Sequence, residues 1–394
     1  MKKILIFSLA YYPKFIGGDG VAVKEITDRI TPGDIEFHMV TLRFDSTLSR
    51  EEKIGNVFVH RIGFARPNPT AANLKKFPLH YTKILFQFTA ALKAVTLNRR
   101  YKYDATWAMM AHSAGVPAAL FKLVHPRVPY ILTLQEGDPP EYIERLMRPL
   151  WPLFKRAFTH ADRVQVISNF LGAWARRMGY KGDIEVIPNG VDAKLFIGTP
   201  VTHLNVVLIT TSRLVHKNAV DDVIRALPLL PEHIHFQILG TGPDEEALKK
   251  LAHELGVSGR VEFLGHIDHK DMPAYLHAAD IFVRPSRSEG MGNSFIEAFA
   301  AGLPVIATQE GGIADFLFDA KRNPDRPTTG WAVDKNSPEQ IATAVKDILQ
   351  NPEQAQKVVA VALALALSKY DWDLIAKAMC EKVFARVLKK DISS

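Results

Sequence analysis

Short apolar runs, each followed by a stretch with helical periodicity, recur along the chain, and the pattern begins afresh past residue 205. Strands are predicted over 4–9, 36–42, 57–62, 105–110, 130–135 and 163–167, with helical patterns clearest at 21–30 and 85–96. In the second half the strands fall at 206–211, 235–239, 261–264, 281–284 and 304–307, and the helices at 220–227, 245–255, 272–278, 294–301 and 339–349. Runs this short and this apolar suit parallel strands covered on both faces, and parallel neighbours need helical crossovers. The alternation therefore predicts an α/β chain of two doubly wound domains, 1–196 and 197–368, joined near 196–204, with a last segment, 369–394, whose helix packs back on the first domain. Ligands of such folds sit beyond the carboxyl ends of the strands, so a cleft between two facing domains is the expected site.

A length of 394 residues exceeds what one core ordinarily serves, and 47 % hydrophobic with 23 % charged residues suits a folded chain rather than a disordered one. Cys380 is the only cysteine, which excludes an internal disulfide and fits a reducing, cytoplasmic setting. The opening residues 1–10 read as a buried first strand rather than a signal peptide, because Gly17-Gly18 follows as a strand-to-helix turn. No apolar run approaches the roughly 18 residues of a spanning helix.

Charge is uneven: residues 1–195 carry 28 Lys+Arg against 17 Asp+Glu, and the remainder 21 against 25. The first half thus holds +11 and the second −4, which suits an anionic partner for the first, such as a lipid phosphate or membrane surface, if the charges are not merely scattered and solvated. Lys75, Lys76, Phe77, Arg99, Arg100, Tyr101, Lys102 and Tyr103 flank an apolar helix, either a core helix with basic ends or one that rests on an anionic bilayer at the inner face of the membrane. No nucleic-acid partner is expected.

The chemistry concentrates in Ser286-Arg287-Ser288-Glu289-Gly290-Met291-Gly292-Asn293-Ser294-Phe295-Ile296-Glu297, between a predicted strand and helix. Its glycines let backbone N–H groups approach a ligand, the helix start adds positive dipole, and two carboxylates can accept paired hydrogen bonds from vicinal hydroxyls, as on a ribose or hexose. Ser294 and Glu297 also match a capping box, which explains Glu297 without any ligand.

This segment resembles the Glu-x7-Glu motif of glycosyltransferase family 4, followed by a small-residue helix and Gly302-Leu303-Pro304-Val305-Ile306-Ala307. Further matches come in the family's order: Gly17-Gly18, the Ile187-Pro188-Asn189-Gly190-Val191-Asp192 turn, Ser212-Arg213-Leu214-Val215-His216-Lys217, Leu239-Gly240-Thr241-Gly242, Phe263-Leu264-Gly265 and Gly311-Gly312. The resemblance implies a GT-B fold and a retaining transfer of a sugar from a nucleotide-sugar, UDP- or GDP-linked, to a glycan, lipid-linked or small-molecule acceptor. Glu297 would bind the ribose and Glu289 the donor sugar, with Gly290, Met291, Gly292, Asn293 and Ser294 lining the sugar and phosphate site. Arg213 and Lys217 would stabilise the departing diphosphate in place of a metal, so no metal or other cofactor is expected. Glu289, Arg213 and Lys217 are thus the catalytic candidates. Gly17 and Gly18 would meet the pyrophosphate through their amides unless they serve only a tight turn, and Gly265, His266 and Ile267 stand where the family contacts the base.

Three departures from the family pattern bear on mechanism. Gln135 replaces a histidine that many relatives carry and cannot ionise. The spacing from Arg213 to Lys217 is one residue shorter than the common form, with Ser212 in place of glycine, and Asp19-Gly20 follows Gly17-Gly18 where a glutamate is frequent. Asp371-Trp372-Asp373 matches a metal-binding Asp-x-Asp but stands at a predicted helix start, where capping explains it. There is no P-loop and no Gly-x-Gly-x-x-Gly after the first strand. A GT-B epimerase or phosphorylase, and a sugar-nucleotide-binding module without turnover, are the alternatives.

Overall fold

A computed structural model describes residues 1–14, 17–70, 73–198 and 205–389. The chain forms two compact units: Met1–Asn189 together with Trp372–Ser394, and Gly190–Asp371. The division falls at 189/190 and 371/372, a few residues from the 196/197 and 368/369 limits read from the sequence. Its physical mark is a parallel bridge between Val191 and Asp371 in the second unit, where the Val191 N–H donates to the Tyr370 carbonyl at 2.7 Å.

The strands of unit 1 are β1 (Lys2–Phe7), β2 (Ile35–Leu42), β3 (Glu51–Ile54), β4 (Val57–Ile62), β5 (Ala105–Met109), β6 (Tyr130–Leu134), β7 (Arg163–Val166) and β8 (Ile184–Val186). They lie in the order β3-β4-β2-β1-β5-β6-β7-β8, all parallel except the β3–β4 pair. Strand order reverses between β1 and β5, which opens a crevice at their carboxyl ends. The helix α1 (Gly18–Asp28) starts there, and Asp19 in its first turn is buried, within 3.4 Å of the Ser8 hydroxyl. Burial pushes the Asp19 carboxyl above its ordinary pKa.

The long helix α2 (Leu79–Tyr101) and the shorter α3 (Val116–Val124) also belong to unit 1. The C-terminal helix runs through Trp372–Met379, a π-helical turn at Cys380–Phe384 and Ala385–Leu388. It joins the same buried cluster as Ile4, Ile6, Phe37 and Trp107. Its Phe384 ring lies 5.1 Å from Trp107 and 6.0 Å from Phe37. Asp373 of the Asp-x-Asp pattern forms a salt bridge with the Arg29 Nε at 2.7 Å.

Unit 2 repeats the plan with β9 (Val206–Thr211), β10 (Ile234–Leu239), β11 (Val261–Gly265), β12 (Ile281–Arg284), β13 (Val305–Ala307) and β14 (Trp331–Ala332), ordered β11-β10-β9-β12-β13-β14. Every pair in this sheet is parallel, and the order reverses between β9 and β12. Its core is a second cluster built on Leu208, Phe236, Ile238, Val283, Ile306 and Val345.

Truncating Phe384 to Ala is expected to cost unit 1 about 3–5 kcal/mol, since a large core ring leaves a cavity that neighbours fill only in part. Burial pushes the nearby Cys380 thiol up to about 12, so it is unreactive while the helix stays docked. Thiol labelling at neutral pH should therefore accelerate in Phe384→Ala, and an unchanged rate would show that the helix is not held by this core.

Candidate functional site

The site is built where β9, β10 and β11 of unit 2 end side by side. The Ser212 N–H donates to the Leu239 carbonyl at 2.9 Å, the Gly240 N–H to the Gly265 carbonyl at 2.7 Å, and the Leu214 N–H to the Thr241 carbonyl at 3.0 Å. Gly240 has φ +141, and a Cβ there would stand 1.9 Å from the Ser212 carbonyl oxygen, so only glycine lets these strand ends meet. Above them opens a cavity of about 410 Å³ whose lining includes Arg213, His266, Ile267, Arg284, Ser294 and Glu297. Another cavity, of about 450 Å³, lies near residues 319–333, but its acids already serve the fold: Asp319 accepts from the Lys321 and Ala332 amides, and Asp347 from the Trp331 indole.

Arg284, the last residue of β12, is the hub beneath the site. It is 8 % exposed. Its Nη1 donates to the Ser294 hydroxyl at 2.6 Å, and its Nη2 to Asn218 Oδ1 at 3.0 Å and Glu289 Oε2 at 2.5 Å. The guanidinium also lies over the Phe295 ring, 5.2 Å from its centre. Its Nε is buried with no partner among the described residues.

Glu289 is fixed from two sides. One carboxylate oxygen takes Arg284 and the other accepts the Gly290 N–H at 3.1 Å. Its carbonyl accepts the Gly312 N–H at 3.0 Å, and a Cβ on Gly311, at φ +62, would come within 2.0 Å of that carbonyl oxygen. The Gly311-Gly312 pair is thus a close-approach device that seats the 289–294 loop.

The next helix, α4 (Asn293–Ala300), begins at Gly292 as N-cap, with no side-chain cap bond. The capping box of Ser294 and Glu297 does not form. Ser294 is the second residue of the helix, with its hydroxyl bound by Arg284, and the Glu297 carboxylate meets His269 Nε2 at 3.0 Å. Freed from a capping role, Glu297 lines the cavity.

Arg213 lines the same cavity with an exposed side chain, while Lys217, Gly265, Glu289, Gly290, Met291, Gly292 and Asn293 do not appear in its lining. The segment between Arg213 and Lys217 is nonetheless rigidly placed. Asn218 donates to the Arg213 carbonyl at 2.6 Å, and the Arg287 N–H to the Lys217 carbonyl at 2.7 Å. The Arg287 guanidinium binds the His216 carbonyl, both Asp221 oxygens and Asp222 at 2.7–2.9 Å. Burial disfavours the Asp221 charge, but the Arg287 bonds outweigh it and hold that carboxyl below its ordinary pKa.

The remaining candidates lie in unit 1. Gly17 is the N-cap of α1 and Gly18 its first residue. Gln135 exchanges hydrogen bonds with the Asn189 amide at 3.1 and 3.3 Å, and the adjacent Glu136 is buried, accepting the Ala111 N–H at 2.6 Å and the Gln135 N–H at 3.0 Å. Arg284, Asn218 and His269 lie outside the motifs, and Arg287 stands within the 286–297 segment with no role assigned to it. The signal for Arg284 was a charge ending the apolar run Ile281-Phe282-Val283, where a buried cation demands partners.

Replacing Arg284 by Met should destabilise unit 2 by about 3–5 kcal/mol, because it strands the Glu289 carboxylate in a dry site. Denaturant unfolding of Arg284→Met, Glu289→Gln and the double variant checks this: the double should recover part of the loss, and strict additivity would mean the two side chains do not interact.

Two family models divide the chain: one described as Glycosyltransferase Family 4 matches residues 16–195, and one described as Glycosyl transferases group 1 matches residues 201–362. The chain is 30 % identical over 253 residues to the GDP-mannose-dependent alpha-(1-6)-phosphatidylinositol monomannoside mannosyltransferase of Mycolicibacterium smegmatis, a match spanning 59 % of this chain and 64 % of that protein's length. An uncharacterized glycosyltransferase of Methanocaldococcus jannaschii is 26 % identical over 89 % of both chains. Among solved structures, sucrose-phosphate synthase from Thermosynechococcus elongatus superposes with a TM-score of 0.80 at 20 % identity, covering 99 % of this chain and 100 % of that one. The Anabaena protein HepE in complex with UDP-glucose gives 0.74 at 20 % identity, covering 98 % and 100 %. With both halves matched in order, the chain belongs to the family 4 (group 1) glycosyltransferases, and its two doubly wound units are of the GT-B type.

Proposed function

We propose that this chain transfers a hexosyl group from a UDP- or GDP-sugar to an acceptor hydroxyl with retention at the anomeric carbon, and that unit 2 holds the donor. The observation that carries the reading is the cavity at the strand ends, which gathers Arg213, His266, Ser294 and Glu297 above the braced Arg284–Glu289 pair. The M. smegmatis relative is named for GDP-mannose and the Anabaena protein was solved with UDP-glucose, which supports a nucleotide-sugar donor of either base.

In this reading Glu297 accepts hydrogen bonds from the ribose hydroxyls, a pairing that a two-oxygen carboxylate makes well. His266 and Ile267, in the cavity wall, flank the base. Arg213 faces the diphosphate, and Lys217, tethered one loop away, adds charge, so that fixed cations stabilise the leaving group without a metal. Glu289 keeps the loop of residues 290–294 open for the sugar, its spare acceptor positions serving sugar hydroxyls. As the anomeric carbon–phosphate oxygen bond breaks, the acceptor oxygen bonds to that carbon on the same face, and its proton passes to the leaving diphosphate oxygen. No acid–base step falls to Gln135, whose amide cannot ionise and is tied to Asn189. The acceptor is a glycan, a lipid-linked saccharide or a small molecule.

Glu297→Ala should raise the nucleotide-sugar KM or abolish saturation while leaving thermal stability within about 0.5 kcal/mol, since no cap is lost. A variant that loses stability but binds donor normally would return Glu297 to a structural role. Turnover should also survive EDTA. Activity lost to the chelator and restored by Mn²⁺ would contradict the assignment of the leaving-group charge to Arg213 and Lys217.

A further inference from the structure

The helix α2 (Leu79–Tyr101) is apolar on both faces. Its inner face, with Leu79, Phe86, Ala90, Ala94 and Leu97, is buried in unit 1. Its outer face carries Tyr81, Ile84, Leu85, Phe88 and Leu92, spaced by three to four residues along one side, with Phe77 just before it. These side chains lie open: Phe77 is 72 %, Leu92 69 % and Tyr81 55 % exposed. Phe64, 56 % exposed, extends the patch from the neighbouring loop, whose backbone N–H is bound by the Thr82 hydroxyl of α2 at 2.8 Å. A row of large apolar groups this long is rare on a surface that meets only water.

The stretch of chain that carries the row has charge of one sign, although Lys93 of α2 meets Glu51 of β3 at 3.5 Å. Residues 53–103 hold ten Lys and Arg and no Asp or Glu. Lys76, Arg99, Arg100 and Lys102 stand exposed near the two ends of the apolar row, while the Lys75 side chain lies outside the described residues. No described helix is long and apolar enough to cross a membrane, so α2 is suited to lie along an interface rather than through one.

We propose that the outer face of α2 docks on an anionic phospholipid bilayer, burying the apolar row at the level of the acyl chains while the basic ends meet lipid phosphates. The charge decides the occupant. A second copy seated on this face by two-fold symmetry would bring the same basic rim against itself, whereas an anionic bilayer complements both the row and the rim. The surface is independent of the donor chemistry of unit 2.

Sedimentation with vesicles of equal parts phosphatidylcholine and phosphatidylglycerol tests this, with phosphatidylcholine vesicles as control. Wild-type protein should pellet with the mixed vesicles at low salt and far less with the control. Arg99→Gln/Arg100→Gln should weaken binding about thirtyfold, and the loss should shrink at high salt. Leu85→Ser/Leu92→Ser should weaken it about a hundredfold with the melting temperature unchanged, because both leucines are exposed in the free protein. Wild-type protein that stays in the supernatant overturns the proposal. So does a wild-type dimer that Leu85→Ser/Leu92→Ser converts to a monomer while vesicle binding persists.

Discussion

The proposed donor site of unit 2 depends on one buried ion pair. Arg284 ends a central strand, and from that point its guanidinium reaches Glu289 five residues on, Ser294 in the following helix and Asn218 in the loop beyond β9. Removing two charges from water is costly, and the pair is tolerable only because both partners have further hydrogen bonds. That cost is repaid in geometry, since the 289–294 segment and the loop beyond β9 are both fixed to one rigid strand end. A site that places a sugar as proposed, within a fraction of an ångström, needs this kind of support.

Backbone contacts complete the frame. Gly240 lets β10 end against Ser212, and Gly311 lets the 311–315 turn seat itself on the Glu289 carbonyl. The cavity opens beside the point where the strand order reverses, at β9 and β12, where neighbouring loops part in opposite directions and leave room for a ligand. Arg287, holding His216, Asp221 and Asp222, performs the same service for the loop carrying Arg213 and Lys217. The site is therefore a set of loops prearranged by two arginines that need not touch substrate.

Much of this was legible in the residues. Runs such as Ile4-Leu5-Ile6-Phe7 and Val206–Thr211 announce buried parallel strands because both faces must be apolar, and the family's motifs fall at their ends. Strand Glu51–Ile54 was hidden, since Glu-Glu-Lys-Ile lacks an apolar face and becomes a strand only by pairing with β4 at the sheet edge. Helix Pro352–Lys369 escaped for a different reason, its Val and Ala alternation masking a helix that alanine and leucine favour. The Ser294/Glu297 spacing, taken alone, favoured a capping box over a ligand. Local sequence cannot decide between them, because the answer lies with Arg284 and His269, which claim the two side chains from elsewhere in the fold. The outer face of α2 is similar: its apolar residues look like core until the structure shows what remains uncovered.

In the proposed function a nucleoside diphosphate is held by the loops above the Arg284–Glu289 pair. Amide hydrogen exchange, followed with and without GDP or UDP, addresses it directly, because a bound ligand slows exchange where it is contacted or where it suppresses local opening. Slower exchange should appear at residues 212–218, 240–242, 265–269 and 290–297. Protection absent from these segments, and found instead around residues 319–333 or only in unit 1, would mean that the nucleotide binds elsewhere.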